Sequence, residues 1–77
     1  MKVEILLFGR LTEIFGVTHL LLADVADTDA VRNRLEEQFP ALKQVKYQVA
    51  ADQLIIHGNK QLTDGMTVAL MPPFSGG

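Results

Sequence analysis

The chain ends in an apolar run that leads into a narrow tail, Met66-Thr67-Val68-Ala69-Leu70-Met71-Pro72-Pro73-Phe74-Ser75-Gly76-Gly77. The first six of these residues are mainly apolar and predict a final strand. At the other end of the chain, residues 2–9 begin with alternating polar and apolar side chains and finish in a continuous apolar run, which also predicts a strand. Since both strands are long and apolar, we expect them to lie side by side at the centre of one sheet.

Three further strands and a short helical turn are predicted between these two. Residues 10–16 space apolar side chains at i, i+3 and i+4, which indicates a helical turn. Residues 17–23 form an apolar run with a β-branched start, which predicts a second strand that pairs with the first as a wide hairpin. Residues 46–51 and 53–57 predict the third and fourth strands, and residues 62–65 a turn before the last one.

One main helix is predicted in the middle of the chain. Residues 24–29 contain three aspartates and Thr28, which are helix-capping residue types, so the helix should begin near Thr28. It should end at Phe39, because Pro40 disfavours helical backbone in the residue before it. The predicted core residues here are Val31, Leu35 and Phe39 of the helix and Leu42 and Val45 after it, with Arg32, Asn33, Glu36 and Glu37 facing water.

This order of elements predicts an α+β fold. One helix across one face of a mixed sheet of about five strands, with the first and last strands parallel at its centre, is the layout of a ubiquitin-like β-grasp fold. We expect residues 1–71 to form this domain and residues 72–77 to extend from it as a tail.

Composition excludes several classes of protein. At 77 residues, with 48% hydrophobic and 21% charged residues, the chain predicts one folded domain. It contains no run of ~20 apolar residues, and its seven lysines and arginines are scattered over a chain of net charge −2, so we expect neither membrane nor nucleic-acid binding. The absence of cysteine excludes side-chain thiol chemistry, and the start lacks signal-peptide features, which favours a cytoplasmic location.

Side chains that usually carry chemistry are poorly placed for it. His19 and His57 lie far apart with no neighbouring ligand spacing, so no metal site is predicted. Ser75 lacks the Gly-x-Ser-x-Gly context of a hydrolase nucleophile. Glu36 and Glu37 are adjacent on the predicted helix and point in different directions, which disfavours a paired-carboxylate site.

The tail instead offers the C-terminal carboxylate as a reactive group. Gly76 and Gly77 have no Cβ atoms, so they suit a narrow channel in a partner. Pro72 and Pro73 favour an extended path and predict a short spacer. A frayed end without function is the alternative interpretation of the two glycines.

Several motifs carry a family resemblance. They are the opening strand ending Leu7-Phe8-Gly9-Arg10, then Glu13 and Gly16, the turn Leu62-Thr63-Asp64-Gly65, the pair Val68-Ala69, and the terminal Pro72-Pro73-Phe74-Ser75-Gly76-Gly77. In these motifs, over nearly its whole length, the chain resembles the small subunit of molybdopterin synthase, a family of short ubiquitin-like sulfur carriers. One departure is Ala51-Asp52, since the family often has asparagine at the second position, and it bears on a loop contact.

The resemblance implies that the chain carries sulfur on its last residue. An ATP-using adenylyltransferase would convert Gly77, next to Gly76, to an acyl adenylate, and sulfur from a donor protein would then give a thiocarboxylate. The large synthase subunit would pass this sulfur to a cyclic pterin monophosphate, building the dithiolene that later binds molybdenum. The chain would be no enzyme by itself and would hold no cofactor, and a heterotetramer with the large subunit is expected.

Such a carrier needs a docking face around the base of its tail. The residues expected there are Phe8, Arg10, Met71, Pro73 and Phe74, a mainly apolar patch with one cation. For Phe8 a place in the core is the alternative, whereas the two prolines direct Phe74 outward. Other functions stay open for the chain as a whole: sulfur delivery for thiamine or tRNA thiolation, conjugation to lysines through Gly77, or non-covalent binding with incidental glycines.

Overall fold

The computed structural model describes residues 2–73. This part of the chain forms two α-helices, one 3-10 helix and five strands. In order they are β1 (Lys2–Leu7), α1 (Leu11–Phe15), β2 (His19–Ala23), α2 (Thr28–Gln38), the 3-10 helix (Pro40–Gln44), β3 (Gln48–Ala51), β4 (Leu54–Ile56) and β5 (Thr67–Met71). Every predicted element is present, and the strands are one or two residues shorter at an end than the sequence predicts.

The strands form one mixed sheet in the order β2-β1-β5-β3-β4. The first and last strands are parallel neighbours, with Ile5 opposite Val68, and the other pairs are antiparallel. Three strands, β1, β5 and β3, lie inside the sheet, and β3 and β5 contain no charged side chains, as expected for strands that are flanked on both sides. The α+β prediction and the central pairing of the end strands are therefore confirmed.

The helices pack against one face of the sheet, where the core lies. Its fully buried members come from both layers: Val3, Ile5, Val68 and Leu70 from the central strands, Val49 from β3, Val31 and Leu35 from α2, and Leu42 from the 3-10 helix. Phe39 is only half-buried, but its ring centroid lies 4.4 Å from that of Phe15 at the edge of the core. Val45 is also half-buried and packs against the core.

Two side chains of α2 are less exposed than the sequence predicts. Arg32 and Glu36 were expected to face water, and both are half-buried. The segment that leads into β3 passes beside them, and the phenol of Tyr47 donates a 2.7 Å hydrogen bond to Oε2 of Glu36. The residues that cover these side chains lie beyond the end of the helix, so the periodicity of the helix sequence does not indicate the contact.

The start of α2 is held by a cap in two parts. Asp27 Oδ1 accepts a 2.8 Å hydrogen bond from the Ala30 amide, as the sequence predicts for a helix beginning at Thr28. Asn59 adds a second acceptor: its Oδ1 takes a 2.9 Å bond from the Asp29 amide and a 3.2 Å bond from the Thr28 hydroxyl. The loop after β4 thus fixes the helix against the body.

The connection between β3 and β4 is a two-residue turn. Asp52 and Gln53 have φ of 53° and 70°, the pair of positive values that a tight hairpin with right-handed strand twist requires. Aspartate adopts this backbone at lower cost than most residues, as asparagine does. The departure from the family's asparagine at position 52 is therefore compatible with the turn.

Candidate functional site

One face of the sheet is not packed against the helices and forms a shallow groove. Side chains alternate along each strand, so the neighbours of the core residues point to this side. The groove has a volume of about 630 Å³ and is lined by Glu4, Leu6, Phe8, Ala50, Asp52, Gln53, Ile55, Thr67, Ala69 and Met71. We call these ten residues the open face.

The open face changes in polarity along the strands. Glu4 pairs with Thr67, and the Asp52 amide donates to the Thr67 carbonyl, so two carboxylates lie at the end where β5 begins. At the other end, Phe8 and Met71 flank the exit of β5. Phe8 is 48% exposed, which excludes the core position considered for it. The apolar end of the groove therefore lies where the tail leaves the body.

The sequence-predicted docking residues meet at this exit. Phe8 and Met71, with Pro72 and Pro73, line a second concavity of about 410 Å³. We call Pro72 and Pro73 the tail root. Arg10 lies on another side of it, in a depression that also includes Lys46 and both prolines. Phe74, Gly76 and Gly77 fall outside the described residues, so their predicted roles stay predictions.

Two cations near the tail root were not singled out from the sequence. Lys46 shares a depression with Arg10, and Arg32 lines another one with Tyr47 and Pro73. Arg32 is on α2 and Lys46 precedes β3, so only the folded chain brings them to the same place. Burial, followed by the hydrogen bond to Glu36 and its charge, raises the pKa of Tyr47 well above its ordinary value.

The tail leaves the sheet because the hydrogen-bond ladder ends at Pro72. The Phe8 amide donates a 3.1 Å bond to the Leu70 carbonyl, which continues the parallel pairing of β1 with β5. The next donor in a parallel ladder would be the amide of residue 72, and proline has none. The Phe8 carbonyl instead accepts a 3.2 Å bond from the Leu11 amide at the start of α1. The chain is thereby released from the sheet at the apolar end of the groove.

Within residues 2–73, no cluster of three or more histidine, aspartate or glutamate side chains is arranged to hold a metal ion, and His19 and His57 are both exposed. In the same residues, no helix has the length and apolar character needed to cross a membrane.

A mixed five-stranded sheet with parallel central end strands and one main helix across one face defines the ubiquitin-like β-grasp class. The sequence profile of the ThiS family matches residues 5–77. The chain therefore belongs to the ThiS family of ubiquitin-like sulfur carriers.

Solved structures from this fold class superpose closely on the chain. Molybdopterin converting factor subunit 1 of Pyrococcus furiosus gives a TM-score of 0.89 at 17% identity, covering 96% of this chain and 99% of that one. Small archaeal modifier protein 1 of Methanosarcina acetivorans gives 0.85 at 24% identity, covering 99% and 96%. At these identities the likeness establishes the fold.

A third structure shows two subunits together. The complex of subunits 1 and 2 of the molybdopterin-converting factor from Helicobacter pylori matches at a TM-score of 0.74 and 28% identity, with 100% of both chains covered. A search of curated protein sequences finds no match.

Proposed function

We propose that the chain is the sulfur-carrying small subunit of a molybdopterin synthase. The observation that carries this is the position of the tail root: β5 releases the chain at the apolar end of an uncovered groove, beside Phe8 and Met71. A partner that covers this groove receives the tail at the same time. Membership of the ThiS family and the likeness to a molybdopterin-converting factor subunit support the assignment.

The reactive group in this proposal is the carboxylate of Gly77. Its ordinary pKa is about 3.3–3.7, so it is ionised at neutral pH and acylates poorly. A carboxylate oxygen attacks the α-phosphate of ATP in a partner adenylyltransferase, and pyrophosphate leaves. Hydrosulfide then attacks the acyl carbon and AMP leaves, giving a thiocarboxylate. If a donor protein supplies the sulfur as a cysteine persulfide, the attack gives an acyl disulfide, and a thiol must reduce this disulfide to release the thiocarboxylate. Gly76 keeps the approach to this carbon free of side chains.

The large synthase subunit is the proposed acceptor of the loaded tail. It would supply the catalytic side chains that pass sulfur from Gly77 to a cyclic pterin monophosphate. This chain contributes the docking surface: Phe8, Met71, Pro73 and Phe74 as apolar contacts and Arg10 as a cation. Apolar anchors near the centre of an interface usually provide most of its binding free energy. The same surface would be shared in turn by the adenylyltransferase, in the cytoplasm.

A second candidate function is conjugation to proteins. The likeness to a small archaeal modifier protein favours it. In this alternative the proposed acyl adenylate at Gly77 is the same, and only the attacking nucleophile differs. Attack by a lysine amine gives an isopeptide bond, whereas attack by a sulfur nucleophile gives the thiocarboxylate. Sulfur delivery to thiamine or tRNA synthesis likewise shares the first steps and differs in the final acceptor.

Mass spectrometry tests the proposal at its first step. The chain is incubated with the adenylyltransferase encoded in the same genome, ATP and hydrosulfide. Exchange of one carboxylate oxygen for sulfur adds about 16 Da, nearly the same as oxidation of a methionine. Fragmentation must therefore locate the added mass on Gly77 and not on one of the three methionines. Addition of the large subunit and the pterin should then yield dithiolene product.

Deletion of Gly77 is the matched control. The shortened chain should fold and keep much of its affinity for the large subunit, because the apolar contacts lie upstream, but it should form neither thiocarboxylate nor product. One added residue after Gly77 should be nearly as harmful, since it displaces the reactive atom by up to ~3.6 Å. Normal product formation by the deletion variant would contradict the sulfur-carrier function. If the full chain forms lysine conjugates instead of dithiolene product, the protein-modifier function is favoured.

A further inference from the structure

Gly9 lies against the tail root in a way that excludes any side chain. Its φ is +60°, and a Cβ atom placed on its backbone would lie 2.7 Å from Cγ and 3.2 Å from Cδ of Pro72. Carbon atoms in favourable contact are about 3.5–4.0 Å apart. The ring of Pro72 thus occupies the space that a residue with a side chain would need at position 9.

Two other glycines show that this contact is particular to position 9. Gly16 and Gly65 also have positive φ, of +75° and +82°, but a Cβ atom on either would meet no heavy atom within 4 Å. At these two positions glycine is required only by the backbone of a turn. At Gly9 it is required by the turn and also by the path of the tail.

Hydrogen bonds from Thr12 hold the backbone of Gly9 in place. The Gly9 carbonyl accepts a 3.1 Å bond from the Thr12 amide and a 2.8 Å bond from the Thr12 hydroxyl. Pro72 has no amide hydrogen and lies just beyond the last residue of β5. A side chain introduced at position 9 would therefore displace Pro72, because the turn at the start of α1 is fixed by hydrogen bonds.

We infer that Gly9 is a positioning residue that sets the direction in which the tail leaves the body. This inference rests on the proposed function, since it concerns delivery of Gly77 into a partner's active site. Two consecutive prolines form a stiff segment, so a change of direction at Pro72 is carried through Pro73. Gly77 lies five residues beyond Pro72 in the sequence. A misplacement of about 1 Å at a reacting group can cost ~10²-fold in rate.

The test compares Gly9→Ala with Gly16→Ala, which introduces the same methyl group at positive φ without a facing proline. Pro72→Ala and the double variant Gly9→Ala/Pro72→Ala complete the set, because alanine at 72 lacks the Cγ and Cδ atoms that the new methyl group would strike. If Gly9→Ala fails to fold, Gly9→Asn replaces it, since asparagine tolerates positive φ yet still carries a Cβ atom.

The measurement is adenylylation of each chain by the adenylyltransferase with ATP, followed as pyrophosphate release, together with the melting temperature. We expect both single glycine variants to lose thermal stability through backbone strain, and Gly9→Ala to lose at least as much as Gly16→Ala, because its methyl group must also displace Pro72. Gly9→Ala should lower kcat by about tenfold or more relative to Gly16→Ala, with a smaller change in KM. The double variant should recover most of that loss when compared with Pro72→Ala.

The outcomes separate this inference from the proposed function. If the unsubstituted chain is not adenylylated, the proposed function is overturned and the role of Gly9 with it. If the unsubstituted chain reacts but Gly9→Ala and Gly16→Ala have equal kcat, the inference alone is overturned. Failure of Pro72→Ala to relieve the Gly9→Ala defect would likewise show that the loss does not pass through the proline ring.

Discussion

The phenol of Tyr47 donates a hydrogen bond of 2.7 Å to the carboxylate of Glu36, which ties the segment before β3 to α2 beside the tail root. Burial and this carboxylate raise the pKa of Tyr47. In the unfolded chain the phenol loses its proton near pH 10, whereas in the folded chain it keeps the proton to higher pH. Its contribution to stability is thus fully present below about pH 10 and is lost as the pH rises toward the folded-state pKa.

Tyr47→Phe tests this linkage. The variant should be about 1 kcal/mol less stable at neutral pH, because it removes one hydrogen bond. Its free energy of unfolding should fall less steeply than that of the unsubstituted chain above pH ~10, since titration of lysines is common to both. Urea unfolding at a series of pH values measures the difference. Tyr47 is the single tyrosine, so tyrosinate absorbance reports its titration directly; parallel pH profiles in the two chains would contradict the assignment.

Asn59→Ala should destabilise the fold through the second part of the helix cap. The substitution leaves the Asp29 amide and the Thr28 hydroxyl without their acceptor, and loss of a cap typically costs about 0.5–2 kcal/mol. Asn33→Ala is the control, because Asn33 is exposed on the same helix and should change stability by less than ~0.5 kcal/mol. Equal effects of the two substitutions in thermal unfolding would remove the capping role of Asn59.

The helix start shows what the sequence reveals and what it does not. Asp27 precedes the helix directly, so the capping preference of nearby residues locates it. Asn59 reaches the same turn from a loop about thirty positions further on, a distance over which local propensity carries no information. Strand pairing was predictable because apolar runs of the central strands demand burial, whereas the half-burial of Arg32 depends on how the segment before β3 crosses the helix.

In the candidate site, too, some features were predictable from the sequence and others were not. The tail and the apolar residues beside it were identified from local sequence and family likeness, and Phe8, Met71 and Pro73 do meet at one place. The proximity of Lys46 to Pro72 and the contact of Gly9 with Pro72 depend on side-chain packing between distant segments. Neither leaves a periodic or compositional signal.

Leu35→Ala should be among the most destabilising substitutions. Leu35 is fully buried between α2 and the sheet, so its truncation removes apolar contacts and leaves a cavity costing roughly 2–5 kcal/mol. That is a large part of the stability available to a domain of this size. Glu37→Ala on the exposed side of the same helix is the control. A loss below about 0.5 kcal/mol in urea unfolding of the Leu35 variant would be incompatible with its position in the core.

Phe8→Ala should separate docking from folding. Because the ring is about half exposed at the apolar end of the open face, its loss should change the melting temperature little. It should weaken binding to the large synthase subunit by more than ~1 kcal/mol, about fivefold in Kd, if the ring anchors that interface. Leu54→Ala is a matched control, since Leu54 is 68% exposed but pairs with Ala51, whose side chain points to the core side of the sheet. Calorimetric titration should show a larger loss of affinity for Phe8→Ala than for Leu54→Ala, because only Phe8 borders the tail root. If both variants bind with the affinity of the unsubstituted chain, the partner docks elsewhere. A similar loss of affinity in both would indicate a general loss of apolar surface.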